Sequence, residues 1–188
     1  DLVAAGEFVE GRRLLSEVLF SGQKELSPAD QQAIRDILTS VNQKLVFSSE
    51  VIPGDPAAEY YQVQRGDMLT QLAPRYQVPF EFVAQINGID PNRLMAGQRI
   101  KMIKGPFHLR IVKHDFRLDL LLHGPEGLPL YICSYAVGLG ETNSTPVGRW
   151  VVAPGKKVED PPWDDPRPDG RYYPSGDPLN PIGEYWVG

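Results

Sequence analysis

The chain holds one cysteine, Cys133, in 188 residues, so no internal disulfide can form and cysteine usage is silent about the redox compartment. No apolar run approaches the roughly 20 residues that a membrane-spanning helix needs. Lys and Arg are nowhere clustered, and 19 of them against 24 Asp and Glu leave a formal net charge of −5. That balance argues against a nucleic-acid partner, which needs a basic patch. The three histidines, His108, His114 and His123, are six and nine residues apart, a spacing that suits neither helical nor compact zinc ligation, and they read as surface residues. The chain begins at Asp1 without Met or signal peptide, as a mature or trimmed product does, with its export signal not visible. What is present, 41% hydrophobic and 23% charged residues, describes a folded chain with mass for two or three small domains.

Residues 60–103, YYQVQRGDMLTQLAPRYQVPFEFVAQINGIDPNRLMAGQRIKMI, carry the clearest pattern. Tyr61 and Val63 alternate with polar neighbours and run into the turn pair Gly66 and Asp67, which predicts a strand. Leu69, Leu72, Ala73 and Tyr76 then share one helical face. A second helix is predicted from Pro79 at its first position, with Val83 and Ile86 inward and a stop at Asn87 and Gly88, where a left-handed residue costs little. A loop from Ile89 to Gln98 leads to a second strand over residues 99–103.

The YxVxxGDxL opening, the LAxxYxV helix, the ING ending and the LxxGQxIxxI close resemble a LysM domain from end to end. The resemblance implies a βααβ unit with both helices on one side of a two-stranded sheet. It also implies binding, without catalysis, of N-acetylglucosamine-containing polymers such as peptidoglycan or chitin. The family's groove lies between the loop after the first strand and the loop before the second. On this chain those positions are Gly66, Asp67, Met68 and Leu69, and Ile89, Asp90, Pro91, Asn92, Arg93 and Leu94. Backbone amides and carbonyls there would read acetamido groups, with apolar side chains over the sugar faces. Met68 stands where the family usually has Thr and removes a hydroxyl from the mouth of the groove. The apolar helix positions read simply as the core of a small domain, and the loops carry the function.

Residues 1–48 read as a helical hairpin. Phe8, Leu14, Leu15, Val18 and Leu19 recur at near-helical spacing over 2–20, and Gly22 ends the run. Ser27, Pro28 and Asp30 form a capping sequence, followed by Ile34, Ile37, Leu38, Val41 and Leu45. The pair loosely resembles one tetratricopeptide-type repeat. One such repeat cannot bury its own face, so it must dock on the rest of the chain, on a protein partner, or on helices upstream. Residues 49–59, with Pro53, Gly54, Asp55 and Pro56, read as a linker.

From residue 104 onward the period turns from helical to alternating. Runs at 108–113, 117–123 and 128–137 predict a meander of antiparallel strands, followed by a further strand at 151–153. The order of the AVGLG strand end, the STPVGRW turn at 144–150 and the NPIG segment at 180–183 resembles the N-terminal part of a YkuD-type L,D-transpeptidase domain. That family attacks a tetrapeptide stem with a Cys thiolate activated by a nearby His. Both groups lie beyond NPIG in the family and hence beyond Gly188 here, so no residue inherits a catalytic role. Cys133 lies in an alternating strand without an adjacent His and reads as buried and inert. Residues 160–181 are dense in Pro and Asp and read as a long irregular loop with Trp163, Tyr172 and Tyr173 as anchors or as a substrate wall. Asp164, Asp165 and Asp169 lack the spacing of known calcium loops.

The expected fold is therefore α+β and multidomain: an α-hairpin at 1–48, a linker at 49–59, a βααβ module at 60–103, and an incomplete, antiparallel, mostly-β domain at 104–188. No cofactor, metal or nucleic acid is called for. The expected partners are peptidoglycan or another N-acetylglucosamine polymer and a protein at the hairpin, in an exported, cell-envelope or periplasmic setting. Two functions stay open: an L,D-transpeptidase parent tethered to glycan, or a noncatalytic glycan-binding envelope protein.

Overall fold

The second helix forms where the capping sequence places it. In the computed structural model the Ser27 hydroxyl accepts the Asp30 amide at 3.1 Å, Pro28 occupies the first turn, and α2 runs Pro28–Leu45. The structure describes residues 2–22, 25–124, 127–140, 144–153, 155–168 and 170–187. They fall into two units, Asp1–Leu139 and Gly140–Gly188.

In the first unit, α1 spans Phe8–Phe20, shorter than the expected 2–20, and turns precede it. Its inward face also differs from the expected one. Gly11, Arg12 and Ser16 are buried, whereas Leu14 and Val18 are exposed. The reason is tertiary. The Ser16 hydroxyl accepts the Tyr131 amide at 3.2 Å, and Arg12 Nη2 donates to Asp55 Oδ1 at 2.5 Å. On α2, Leu38, Val41 and Leu45 point inward as expected, Ile37 is exposed, and Asn42 and Arg35 join the buried face. The hairpin therefore docks on the chain itself.

The next elements are β1 (Ala58–Gln62), α3 (Leu69–Leu72), a 3₁₀ turn (Ala73–Tyr76), α4 (Phe80–Asn87) and β2 (Arg99–Ile103). The strands pair antiparallel, Ala58 opposite Ile103 through Gln62 opposite Arg99. The single helix expected from Leu69 to Tyr76 is broken because Pro74 offers no amide and crowds the preceding turn, so the chain tightens to 3₁₀. Pro79 caps α4 from just outside rather than starting it, and Gly88 ends it at φ 61°, as expected. Leu69, Leu72, Val83, Ile86, Ile100 and Met102 form one apolar core.

Then follow β3 (Phe107–Val112), β4 (Arg117–His123) and β5 (Pro129–Ala136), a meander in the order β3-β4-β5. The hairpin helices lie against β5: Asn42 Nδ2 donates to the carbonyls of Tyr131 and Ile132 at 2.8 and 3.2 Å. Residues Leu109, Ile111 and Tyr135 of this sheet are exposed.

The second unit contains β6 (Lys157–Glu159), β7 (Trp163–Asp164), β8 (Tyr172–Tyr173) and β9 (Tyr185–Val187), paired β6 with β9 and β7 with β8. This corrects two expectations. Residues 151–153 are not a strand, and the Pro/Asp-rich stretch is not wholly irregular. Its prolines lie outside the two-residue ladder, where no amide is required, and Trp163 stacks on Tyr173 at 5.7 Å between centroids. Among the described residues, no helix is long and apolar enough to cross a membrane.

Candidate functional site

The two-stranded sheet of β1 and β2 extends one step beyond its ladder. The Val63 amide donates to the Gln98 carbonyl at 2.8 Å and the Gly97 amide to the Val63 carbonyl at 2.7 Å. These bonds bring the chain leaving β1 and the chain entering β2 together at one end of the sheet. Beyond them, residues 64–68 turn on Gly66, at φ 91°, and on the Asp67 carboxylate. Asp67 Oδ2 accepts the Gln64 amide and the Tyr61 hydroxyl, both at 2.8 Å. The Gln64 amide and the Tyr61 hydroxyl hold the Asp67 carboxyl below the usual carboxylate range, and the Asp67 carboxylate in turn raises the Tyr61 phenol. Asp67 thus shapes the loop. Met68, in extended conformation at the start of α3, caps no amide with its side chain and is 50% exposed.

The second loop leaves α4 through Gly88. The Ile89 amide donates back to the Ala84 carbonyl at 3.0 Å. Asp90 then organises a tight turn: its Oδ1 accepts the Asn92 amide at 2.9 Å and its carbonyl accepts the Arg93 amide at 3.0 Å. Asp90, Asn92 and Arg93 are exposed, Pro91 is half-buried, and Ile89 and Leu94 lean on the core. One expected contributor is turned inward: Leu69 is 0% exposed, so a ligand could meet only its backbone. The exposed apolar side chains at these loops are instead Met68 and Met95, the latter 68% exposed and absent from the sequence-based set because it occupies an unspecified position of the LxxGQxIxxI close.

A second feature flanks the second loop. An open recess of about 360 Å³ lies on the outer side of β2, lined by Ser49, Tyr60, Asn87, Ile89, Gln98 and Arg99. Of these, the sequence placed only Ile89 in the glycan-binding set, with Asn87 read as a helix stop. The Arg99 guanidinium lies over the Tyr60 ring at 4.2 Å, and the Tyr60 oxygen accepts the Val51 amide at 3.3 Å. Asn87 bridges the strand edge like a partner strand, its Oδ1 accepting the Lys101 amide at 2.7 Å and its Nδ2 donating to the Lys101 carbonyl at 2.9 Å.

Elsewhere the chemistry is structural. Cys133 is buried, and burial, the first cause, pushes its thiol up despite a hydrogen bond to the Tyr135 hydroxyl. A thiolate is disfavoured there, and none of the histidines is hydrogen-bonded to that sulfur. His108 and His123 have ring centroids 6.2 Å apart, and His114 is exposed and adjoins Asp115. Among the described residues no cluster of three metal-ligating side chains occurs. Asp165 is committed to Arg167, and Asp169 lies outside the described residues.

A small βααβ module whose first loop is closed against the entry to β2 is LysM-like. The match to known families agrees: residues 61–102 match the LysM domain family. No curated protein matches the chain. A solved structure, a MoCVNH3 variant (Mo0v) in complex with (N-GlcNAc)4, is similar at 20% identity and a TM-score of 0.26, over 42% of this chain and 54% of that one. The chain thus spans about half the length of that structure, and a likeness so low bears on neither fold nor ligand.

Proposed function

We propose that this chain binds N-acetylglucosamine-containing polymers, peptidoglycan in particular, through the loops at residues 66–69 and 89–94. The observation that carries the reading is the LysM match over 61–102 together with the closure by Val63, Gly97 and Gln98 that sets the first loop beside the entry to β2. Loop amides and carbonyls read acetamido groups, and Met68 and Met95 offer apolar cover for sugar faces. A chain of this kind works outside the cytoplasm, at the cell envelope. Co-sedimentation with purified peptidoglycan tests it. The wild-type chain is expected in the pellet and a Met68→Ala, Asn92→Ala double variant in the supernatant; equal pelleting of both removes these loops from the function.

A finer reading adds that residues 104–188 are the N-terminal part of a YkuD-type L,D-transpeptidase domain, in a parent protein whose nucleophile lies past Gly188. It rests on motif order alone, and the family match ends at residue 102. The noncatalytic alternative, an envelope protein held on glycan, is favoured for these residues by the buried Cys133. A thiol probe is expected to label Cys133 only after denaturation. Rapid labelling of the folded chain with a depressed thiol pKa would favour an enzyme instead.

A further inference from the structure

The recess beside β2 differs from the loop groove in what lines it. Its lining carries one cation, Arg99, and no carboxylate, in a chain of net charge −5. Arg99 has no carboxylate partner among the described residues, and its guanidinium carbon lies over the Tyr60 ring at 4.2 Å from the centroid. Ser49 and Gln98 add neutral donors and acceptors.

The strand edge adds a second, independent feature. Antiparallel hydrogen bonds alternate in direction along a strand. Asn87 bonds both peptide groups of Lys101 from outside the sheet, so Lys101 and, two residues earlier, Arg99 turn their backbone away from β1. Asn87 closes the edge at Lys101. At Arg99 the edge opens on the recess, because the sheet has only two strands. A backbone N–H and C=O side by side match an acetamido group, and a guanidinium on an aromatic ring beside them matches a carboxylate with a sugar ring. A volume of about 360 Å³ accommodates one or two sugar rings.

We infer that the recess formed by Tyr60, Arg99, Gln98, Asn87 and Ser49 is an anionic-glycan subsite, which makes the module prefer N-acetylated glycan bearing a carboxylate over the neutral homopolymer. The inference rests on the glycan-binding reading above and names its substrate class: peptidoglycan strands whose MurNAc lactyl carboxylates are free of stem peptide, rather than peptide-linked strands or chitin. Arg99 supplies the charge, Tyr60 the platform, and the Arg99 backbone the acetamido contact.

Calorimetric titration of the full chain with three probes separates the possibilities: a neutral N-acetylglucosamine tetramer, a GlcNAc–MurNAc disaccharide with its free lactyl carboxylate, and the same disaccharide as lactyl carboxamide. The acid is expected to bind about fivefold tighter than the amide at low salt, a ratio set by a partly exposed charge pair. That ratio should shrink as salt is raised, fall to about one in Arg99→Gln and survive in part in Arg99→Lys. Equal binding of acid and amide by the wild type, or an unchanged ratio in Arg99→Gln, overturns the subsite. In either case binding of the tetramer would leave the loop groove standing. Failure of the wild type to bind any probe overturns both readings.

Discussion

The LysM module and the hairpin-to-sheet junction differ in how much polar chemistry they bury. The module closes on aliphatic side chains, Leu69, Leu72, Val83, Ile86, Ile100 and Met102, drawn from one stretch of chain. The junction buries apolar residues too, Leu38, Leu121 and Tyr131 with Leu15 and Leu19 against them, but adds polar pairs from distant positions. Arg12 meets Asp55 across 43 positions, Asn42 meets the Tyr131 and Ile132 carbonyls across 89 and 90, and Lys101 Nζ donates to the Leu45 and Glu50 carbonyls at 2.8 and 2.6 Å. Asp119, 0% exposed, gathers Arg110, Arg117 and Ser134 around one carboxylate. Burial opposes its charge, but the hydrogen bonds from these three outweigh it and hold Asp119 below the usual range. Apolar burial is tolerant of partner identity; a buried charge is stable only with its own partner. The linker, with Asp55 buried in this junction, is therefore a packed element rather than a spacer, and the module is fastened to the hairpin.

The sharpest way to break this contrast is Arg12→Ala. It leaves Asp55 buried without its counter-charge, and Asp55 Oδ2 already lacks a partner, so urea denaturation should show a loss of about 3–5 kcal/mol. Leu69→Ala in the module core should cost about 3 kcal/mol, the range for truncating a fully buried Leu, without changing the pH profile.

The pH dependence separates the two regions further. Burial lowers Lys101 to about 8, with Asp55 and Glu50 opposing that shift and Arg12 reinforcing it. Between about pH 8 and the unfolded value near 10.4, the unfolded chain binds the extra proton, so this residue makes stability rise with pH. Subtracting the profile of Lys101→Met should isolate a gain of about 1–3 kcal/mol over that interval. A flat difference would mean that the two carbonyls keep the ammonium charged. Asp119 gives the same sign in an acid window: stability present above the unfolded carboxylate value near 3.9 is lost as pH falls through the lower folded one, and Asp119→Asn should flatten that acid limb.

The smallest expected effect lies in the module loop. Met68 has cap geometry and no capping side chain, so Met68→Thr should add about 0.5–1 kcal/mol in thermal or urea unfolding. It also returns a hydroxyl to the loop mouth.

The same contrast explains what could be read from the sequence. The module was legible because its signals are local: period, Gly88 at the helix end, Gly66 at the turn, and a motif spanning all four elements. Its misses were local too, the 3₁₀ turn at Pro74 and the inward Leu69. The hairpin helices were legible from Ser27, Pro28 and their apolar spacing, but the face of α1 was not, since Arg12 and Ser16 are buried only because of residues 43 and 115 positions away. The short ladders of the second unit pair two or three residues each, too few for a period to show. The recess has no local signature because Ser49, Tyr60, Asn87 and Arg99 come from four segments.

Backbone amide resonances of the whole chain, followed by NMR during titration with an N-acetylglucosamine tetramer, test the glycan-binding account most directly. The account predicts saturable shifts concentrated at Gly66, Asp67, Met68 and Leu69 and at Ile89, Asp90, Asn92, Arg93 and Leu94, with the amides of β4 and β5 unmoved. No shifts at these loops at millimolar tetramer, or shifts gathered in another part of the chain, would contradict it.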